Sequence, residues 1–218
     1  MKQYLSLVPC LQVLVVIFLL TGCSSTYYGA MEKVGIHKRD IMVDRVADAR
    51  DSQAEAQEQF KSALDQFNSV VTLKETDLKK AYDRLNKEYE ACSAAAADVS
   101  ERIEKVESVS EALFREWQDE LDLYENKDLA RASKKQRNAT RSRYDEMISH
   151  MYRAEKSMDP VLKIFRDNVL FLKHNLNAQA IGSLQDEFAN LETEIDTLIA
   201  RMSTAIESSN AFIADMQE

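Results

Sequence analysis

The sequence predicts an all-α protein, an elongated antiparallel bundle of four or five long helices with coiled-coil-like packing. Three observations carry that expectation. Apolar residues recur at alternating spacings of three and four over most of the chain beyond residue 41. Turn formers are scarce, with Gly 4 and Pro 2 in 218 residues, which argues against sheets and many loops. Charged residues reach 30%, and with abundant alanine they give the composition of long helices.

The first helix is expected at 38–71, on a stripe that begins Met42, Val46, Ala49, Gln53, Ala56 and runs through Phe60, Ala63, Phe67 and Val70. A second is expected at 77–125, with Thr76 as its N-cap and a stripe from Leu78 through Leu85, Cys92, Val99, Ile103 and Val106 to Leu113 and Trp117. Helices at 129–158 and 160–177 follow. Asp159-Pro160 either caps a new helix or kinks a long one, so that 129–177 is one element or two. The last helix is expected at 181–216, on Ile181, Leu184, Phe188, Leu191, Ile195, Leu198, Met202, Ala205, Ser209, Phe212 and Met216. Apolar residues beside the stripes (Leu64, Val71, Ile199, Ile206, Ile213) widen them and favour a bundle over a two-stranded rope.

Charge supports the second turn. Residues 111–125 are acid-rich and 127–143 base-rich. Folding back at 126–127 is expected to set Asp122 against Arg131, Asp119 against Lys134 and Glu116 against Arg137.

The N-terminus carries an address. Lys2 is followed by an uncharged, apolar run from Leu5 to Leu20, ending in Leu20-Thr21-Gly22-Cys23. That is the layout of a secretory signal with a lipobox: small residues admit the peptidase, and the Cys23 thiol is the nucleophile that accepts lipid. The expected organisation is therefore a signal peptide at 1–22, a lipidated N-terminal linker at 23–37 and a bundle at 38–218. Ser24 and Ser25 follow Cys23, and aspartate is absent from the second mature position. In Gram-negative lipoproteins, which this N-terminus resembles, aspartate at that position is the inner-membrane retention signal, so the resemblance implies an outer-membrane lipid anchor facing the periplasm. Three acyl chains suffice for stable anchoring where one is marginal.

No catalytic, cofactor-binding or metal-ligating set emerges. There is no glycine-rich phosphate loop, nucleophile elbow or paired-cysteine motif, and no enzyme activity is expected. The formal net charge of −9 makes nucleic acid an unsuitable partner. Of the three histidines, His37, His150 and His174, none has a partner at ligand spacing. Cys92 lies on an apolar stripe and is expected to be a buried thiol. His37, Lys38 and Arg39, just before the first helix, are expected to form a membrane-proximal contact together with apolar Tyr27, Tyr28 and Met31. The segment 160–176 is apolar on more than one face, which fits central burial or, alternatively, docking on or insertion into lipid.

The runs Met31-Glu32-Lys33-Val34-Gly35-Ile36-His37-Lys38-Arg39-Asp40-Ile41, Arg45-Val46-Ala47-Asp48-Ala49-Arg50-Asp51 and Glu58-Gln59-Phe60-Lys61-Ser62-Ala63-Leu64 resemble a proteobacterial family of unknown function, helical and periplasmic lipoprotein-like. The resemblance covers nearly the whole mature chain and implies a helical fold with no established activity. Some members carry a DNA-repair ATPase label, which this chain does not support, since it has an export signal and no nucleotide loop. The combined expectation is a structural or adaptor lipoprotein. Its partners would be the membrane, through Cys23, and an envelope protein of unspecified identity.

Overall fold

The computed structural model describes residues 27–28, 31, 35–72, 78–175 and 178–217. The signal segment 1–22, Cys23 and the Thr76 cap lie outside the described residues. Five helices follow in order: α1 (Lys38–Thr72), α2 (Leu78–Leu121), α3 (Lys127–Lys156), α4 (Met158–His174) and α5 (Ala178–Gln217). No strand occurs among the described residues. Helix α2, at 44 residues, is roughly 66 Å long at 1.5 Å per residue, so the bundle is a rod.

The stripes are the core. In α1, Met42, Val46, Ala49, Gln53, Ala56, Phe60, Ala63, Phe67 and Val70 are all buried, in strict alternation of four and three. The buried residues of α5 continue that rule from Leu191 through Ile195, Leu198, Met202, Ala205 and Ser209 to Phe212 and Met216. Helix α1 packs against α2 and α5, and α3 with α4 closes the fourth side against α2 and α5. Neighbours run antiparallel. Gln59 Nε2 reaches Glu88 Oε2 on α2 at 2.9 Å, and Gln57 Nε2 reaches Ser203 Oγ on α5 at 2.9 Å. At one end Phe67 meets Phe165 edge-on, at 5.9 Å between ring centroids, and stacks on Phe188 at 6.1 Å.

Helices α3 and α4 behave as one kinked helix. A single residue, Ser157, separates them. Its Oγ donates to the Ala154 carbonyl at 2.6 Å, and Pro160, three residues later, has no N–H to continue the ladder. The spacing of buried residues nevertheless passes through the break: Tyr144, Met147, Met151, Ala154, Met158, Val161, Phe165. The apolar segment 160–176 is thereby placed. Val161, Phe165, Val169 and Leu172 face the core, while Leu170 and Phe171 stay 48% and 39% exposed.

Helix ends depart from the expected bounds where backbone bonding decides. Helix α2 stops at Leu121, four residues early, and a tightened turn follows in which Leu123 N–H bonds the Glu120 carbonyl at 3.0 Å. Helix α3 begins two residues early, at Lys127, because Asn126 Oδ1 accepts the N–H groups of Asp128 and Leu129 at 2.9 and 3.3 Å. The hairpin is present, but its expected ion pairs are replaced. Arg131 pairs with Asp128 on its own helix, Arg143 crosses to Asp215 on α5 at 2.5 Å, and Glu116 takes Lys38 of α1 at 2.8 Å. Trp117 Nε1–H donates to Ser133 Oγ at 2.9 Å and ties the hairpin instead. Matching charges along two antiparallel strands of sequence fixes their height and leaves their direction around each helix unspecified.

Gln53 is fully buried in the α1 stripe, and neither its Nε2 nor its Oε1 has a partner. Burying an amide without partners costs about 1–3 kcal/mol. Gln53→Leu, of similar volume, is therefore expected to stabilise the bundle by about 1–3 kcal/mol, seen as a higher urea midpoint at unchanged slope. A lower midpoint would mean the amide is satisfied.

Candidate functional site

The start of α1, the α2–α3 hairpin and the end of α5 meet at one end of the rod, and His37, Lys38 and Arg39 sit there. His37 opens α1: its carbonyl accepts the N–H groups of Asp40 and Ile41 at 3.0 and 3.1 Å, and its side chain is exposed. Gly35, at φ +85°, makes the sharp entry possible, and Ile36 N–H bonds back to the Met31 carbonyl at 3.1 Å across it.

Lys38 and Arg39, expected in a membrane-proximal contact, are both engaged by the bundle, Lys38 buried and Arg39 still exposed. Lys38 is only 9% exposed, and its Nζ lies 2.8 Å from Glu116 Oε1. Arg39 Nε donates to the Met216 carbonyl at 2.7 Å, and its Nη2 donates to the same oxygen. A guanidinium there satisfies an orphan carbonyl at the negative end of the α5 dipole. Tyr28 and Met31 are drawn in as well. Tyr28 is 6% exposed and shares a hydrogen bond of 3.1 Å with Ser108 Oγ on α2, and Met31 packs on the core. The apolar residues expected at a lipid interface are thus partly spent on the bundle itself, with Tyr27 left 44% exposed.

Between these clamps lies a cleft of about 240 Å³ lined by Leu113, Trp117, Glu120, Gln136 and Met216. Its walls combine apolar surface with the carboxylates of Glu116, Glu120 and Asp215, the Arg39 guanidinium and the Thr140 hydroxyl. The arrangement can bind and position a small polar or amphipathic group. Among the described residues no group of three His, Cys, Asp or Glu could hold a metal ion. Sequence reading missed Glu116, Trp117, Asp215 and Met216 as parts of this end, and it set Tyr28 here against lipid where the structure sets it against α2. Trp117 and Met216, closing the stripes of α2 and α5, carried a local signal.

Cys92 lies midway along α2, fully buried, with Sγ 3.9 Å from the Gln59 carbonyl. Burial pushes its thiol up to about 12; the hydrogen bond with Gln59 opposes this and the Glu88 charge adds to it. The other histidines are peripheral: His150 Nδ1 faces Arg153 at 3.1 Å, and His174 is exposed at the end of α4.

Two measurements follow. In a double-mutant cycle, Lys38→Ala and Glu116→Ala should show a coupling of about 1–2 kcal/mol. The exposed Lys61–Glu58 pair should show no more than about 0.5 kcal/mol, and equal values would place Lys38 in solvent. Cys92 should resist a thiol reagent at pH 8 until the chain is denatured, as read by mass spectrometry of its peptide. The unfolded thiol titrates near 9.0 and the folded one near 12, so the folded chain holds the extra proton in between. Stability should therefore fall as pH rises from about 9 to 12.

No curated protein and no solved structure matches this chain. A family model described as "Protein of unknown function (DUF2959)" matches residues 27–216. The match spans the bundle and the Tyr28 strap that docks on it, and the chain belongs to that family.

Proposed function

We propose that this chain is an outer-membrane-anchored periplasmic lipoprotein whose bundle serves as a structural or adaptor element. The N-terminal pattern supports the anchor: one lysine, an apolar run and Leu20-Thr21-Gly22-Cys23. The observation that carries the reading further is the docking of Tyr28 against Ser108. Five residues separate Cys23 from Tyr28, a span of at most roughly 18 Å when fully extended. An acylated Cys23 would then hold the rod against the membrane by a short tether. The reach allowed by a free linker up to His37 would be close to 50 Å.

Among the described residues no helix is long and apolar enough to cross a membrane. In this reading attachment rests on the acyl chains, and Tyr27, Ile36 and His37 are exposed groups of the described N-terminal segment that would face the head groups. The proposed partners are the membrane through Cys23 and an envelope protein. The second reading, lipid docking by 160–176, is less favoured, because the segment's main apolar face is spent on the core and, among its described residues, Leu170 and Phe171 are the large apolar side chains left exposed.

The test is metabolic labelling with a clickable palmitate analogue followed by membrane fractionation. Wild-type protein should be labelled and sediment with outer membranes. Cys23→Ala should lose the label and accumulate as the unprocessed form. Labelling that survives Cys23→Ala removes the anchor from this position.

A further inference from the structure

The hairpin of α2 and α3 presents a broad outer face on which two rows of opposite charge lie side by side. On α3, Lys127, Arg131, Lys134 and Arg141 recur at spacings of four, three and seven, which places them on one helix face. All four are exposed, and no residue from Lys127 to Ala139 is buried. On α2 and the turn that follows it, exposed Glu104, Glu111 and Asp122 form the facing acidic row, interrupted by exposed Arg115. Residues 127–143 contain seven bases and one acid within a chain of net charge −9. Lys127 and Lys134 have no ion-pair partner among the described residues, and Arg131 and Arg141 bond only to exposed acids of their own helix.

The heights of the two rows agree. Trp117 to Ser133 and Ser100 to Glu155 are the α2–α3 crossings. In that register Asp122 lies level with Arg131, and Glu111 level with Arg141. Within one molecule these levels do not become bonds, since both rows point outward from the bundle. The pattern is self-complementary, and its symmetry selects one arrangement. A two-fold axis parallel to the rod lays α2 of one copy over α3 of the other at equal height, acid over base. A two-fold axis across the rod lays acid over acid and base over base.

We propose that this face is the interface of a parallel two-fold homodimer, in which the acidic row of α2 packs on the basic row of α3 of a second copy and reciprocally. An anionic lipid surface is the poorer occupant, because the acidic row shares the face. Tyr152 of α3, 37% exposed, supplies aromatic surface beside the rows. The parallel arrangement also brings both N-terminal segments to the same end, so one membrane could hold both copies, although the interface itself does not depend on the anchor. Exposed ion pairs contribute little each, so association should be weak in solution, sensitive to salt, and favoured by confinement on a surface.

Two differently tagged full-length copies expressed in one cell provide the test. Asp122→Cys in one copy and Arg131→Cys in the other should give a mixed disulfide on mild oxidation, about five-fold or more above the disulfide from either substitution in both copies, because the bond needs the two Cα atoms within about 7 Å. Reversing the acidic row (Glu104→Lys, Glu111→Lys, Asp122→Lys) or the basic row (Lys127→Glu, Arg131→Glu, Lys134→Glu) should each abolish co-purification of tagged copies, and coexpression of the two reversed chains should restore it. The restoration separates an interface from a folding defect, and the cysteine pair gives an answer even where a reversed chain folds poorly. Equal yields of all disulfides, no mixed disulfide, or no restoration would overturn the proposal.

Discussion

The alternation of four and three between buried residues is the constraint from which the rest of this structure follows. A stripe that narrow stays covered along a long helix only if its neighbours cross at a shallow angle, so the four sides must run side by side. The rule is strong enough to pass through the Ser157 break, where the backbone ladder fails and the sequence of buried positions does not. Gln53 keeps its place in the α1 stripe even though its amide has no partner there. Such a buried polar side chain weakens the core, and in helical assemblies it is one means of fixing register.

A rod built this way leaves its ends to be secured by other means, and the two ends differ. One is closed by aromatic packing of Phe67, Phe165 and Phe188. The other is closed by polar clamps: Lys38 on Glu116, Arg39 on the Met216 carbonyl of α5, and Arg143 on Asp215. Tyr28 then straps the N-terminal segment back along α2. In the proposed lipoprotein the consequence is mechanical: a pull from an anchor at Cys23 would reach the bundle at Ser108.

Much of this was legible in sequence. The stripes of α1 and α5 named nearly every core residue of those helices, and the end of the second stripe with the change of charge sign marked the turn at 126–127. Less was legible where a side chain's partner lies on another helix. Lys38 and Arg39 read as free charges because their local sequence is polar, and only the register of α1 against α2 and α5 reveals Glu116 and Met216 beside them. The acid and base rows of 111–143 were read at the right heights and assigned the wrong partners, since linear matching carries no azimuth. The docking of Tyr28 had no sequence signal, as tyrosines near an anchor suit a lipid interface equally well.

The central claim is that Tyr28 shortens the tether between the proposed anchor and the rod. The direct measurement is energy transfer on lipidated full-length protein in liposomes, from a donor at Glu104→Cys, one helical turn from Ser108, to acceptor head groups; Cys92 is buried and does not compete for the label. A docked Tyr28 places the donor within about 25 Å of the head-group layer, and Tyr28→Ala should lengthen that distance. A wild-type separation beyond about 40 Å, or one indifferent to Tyr28→Ala, would contradict the account.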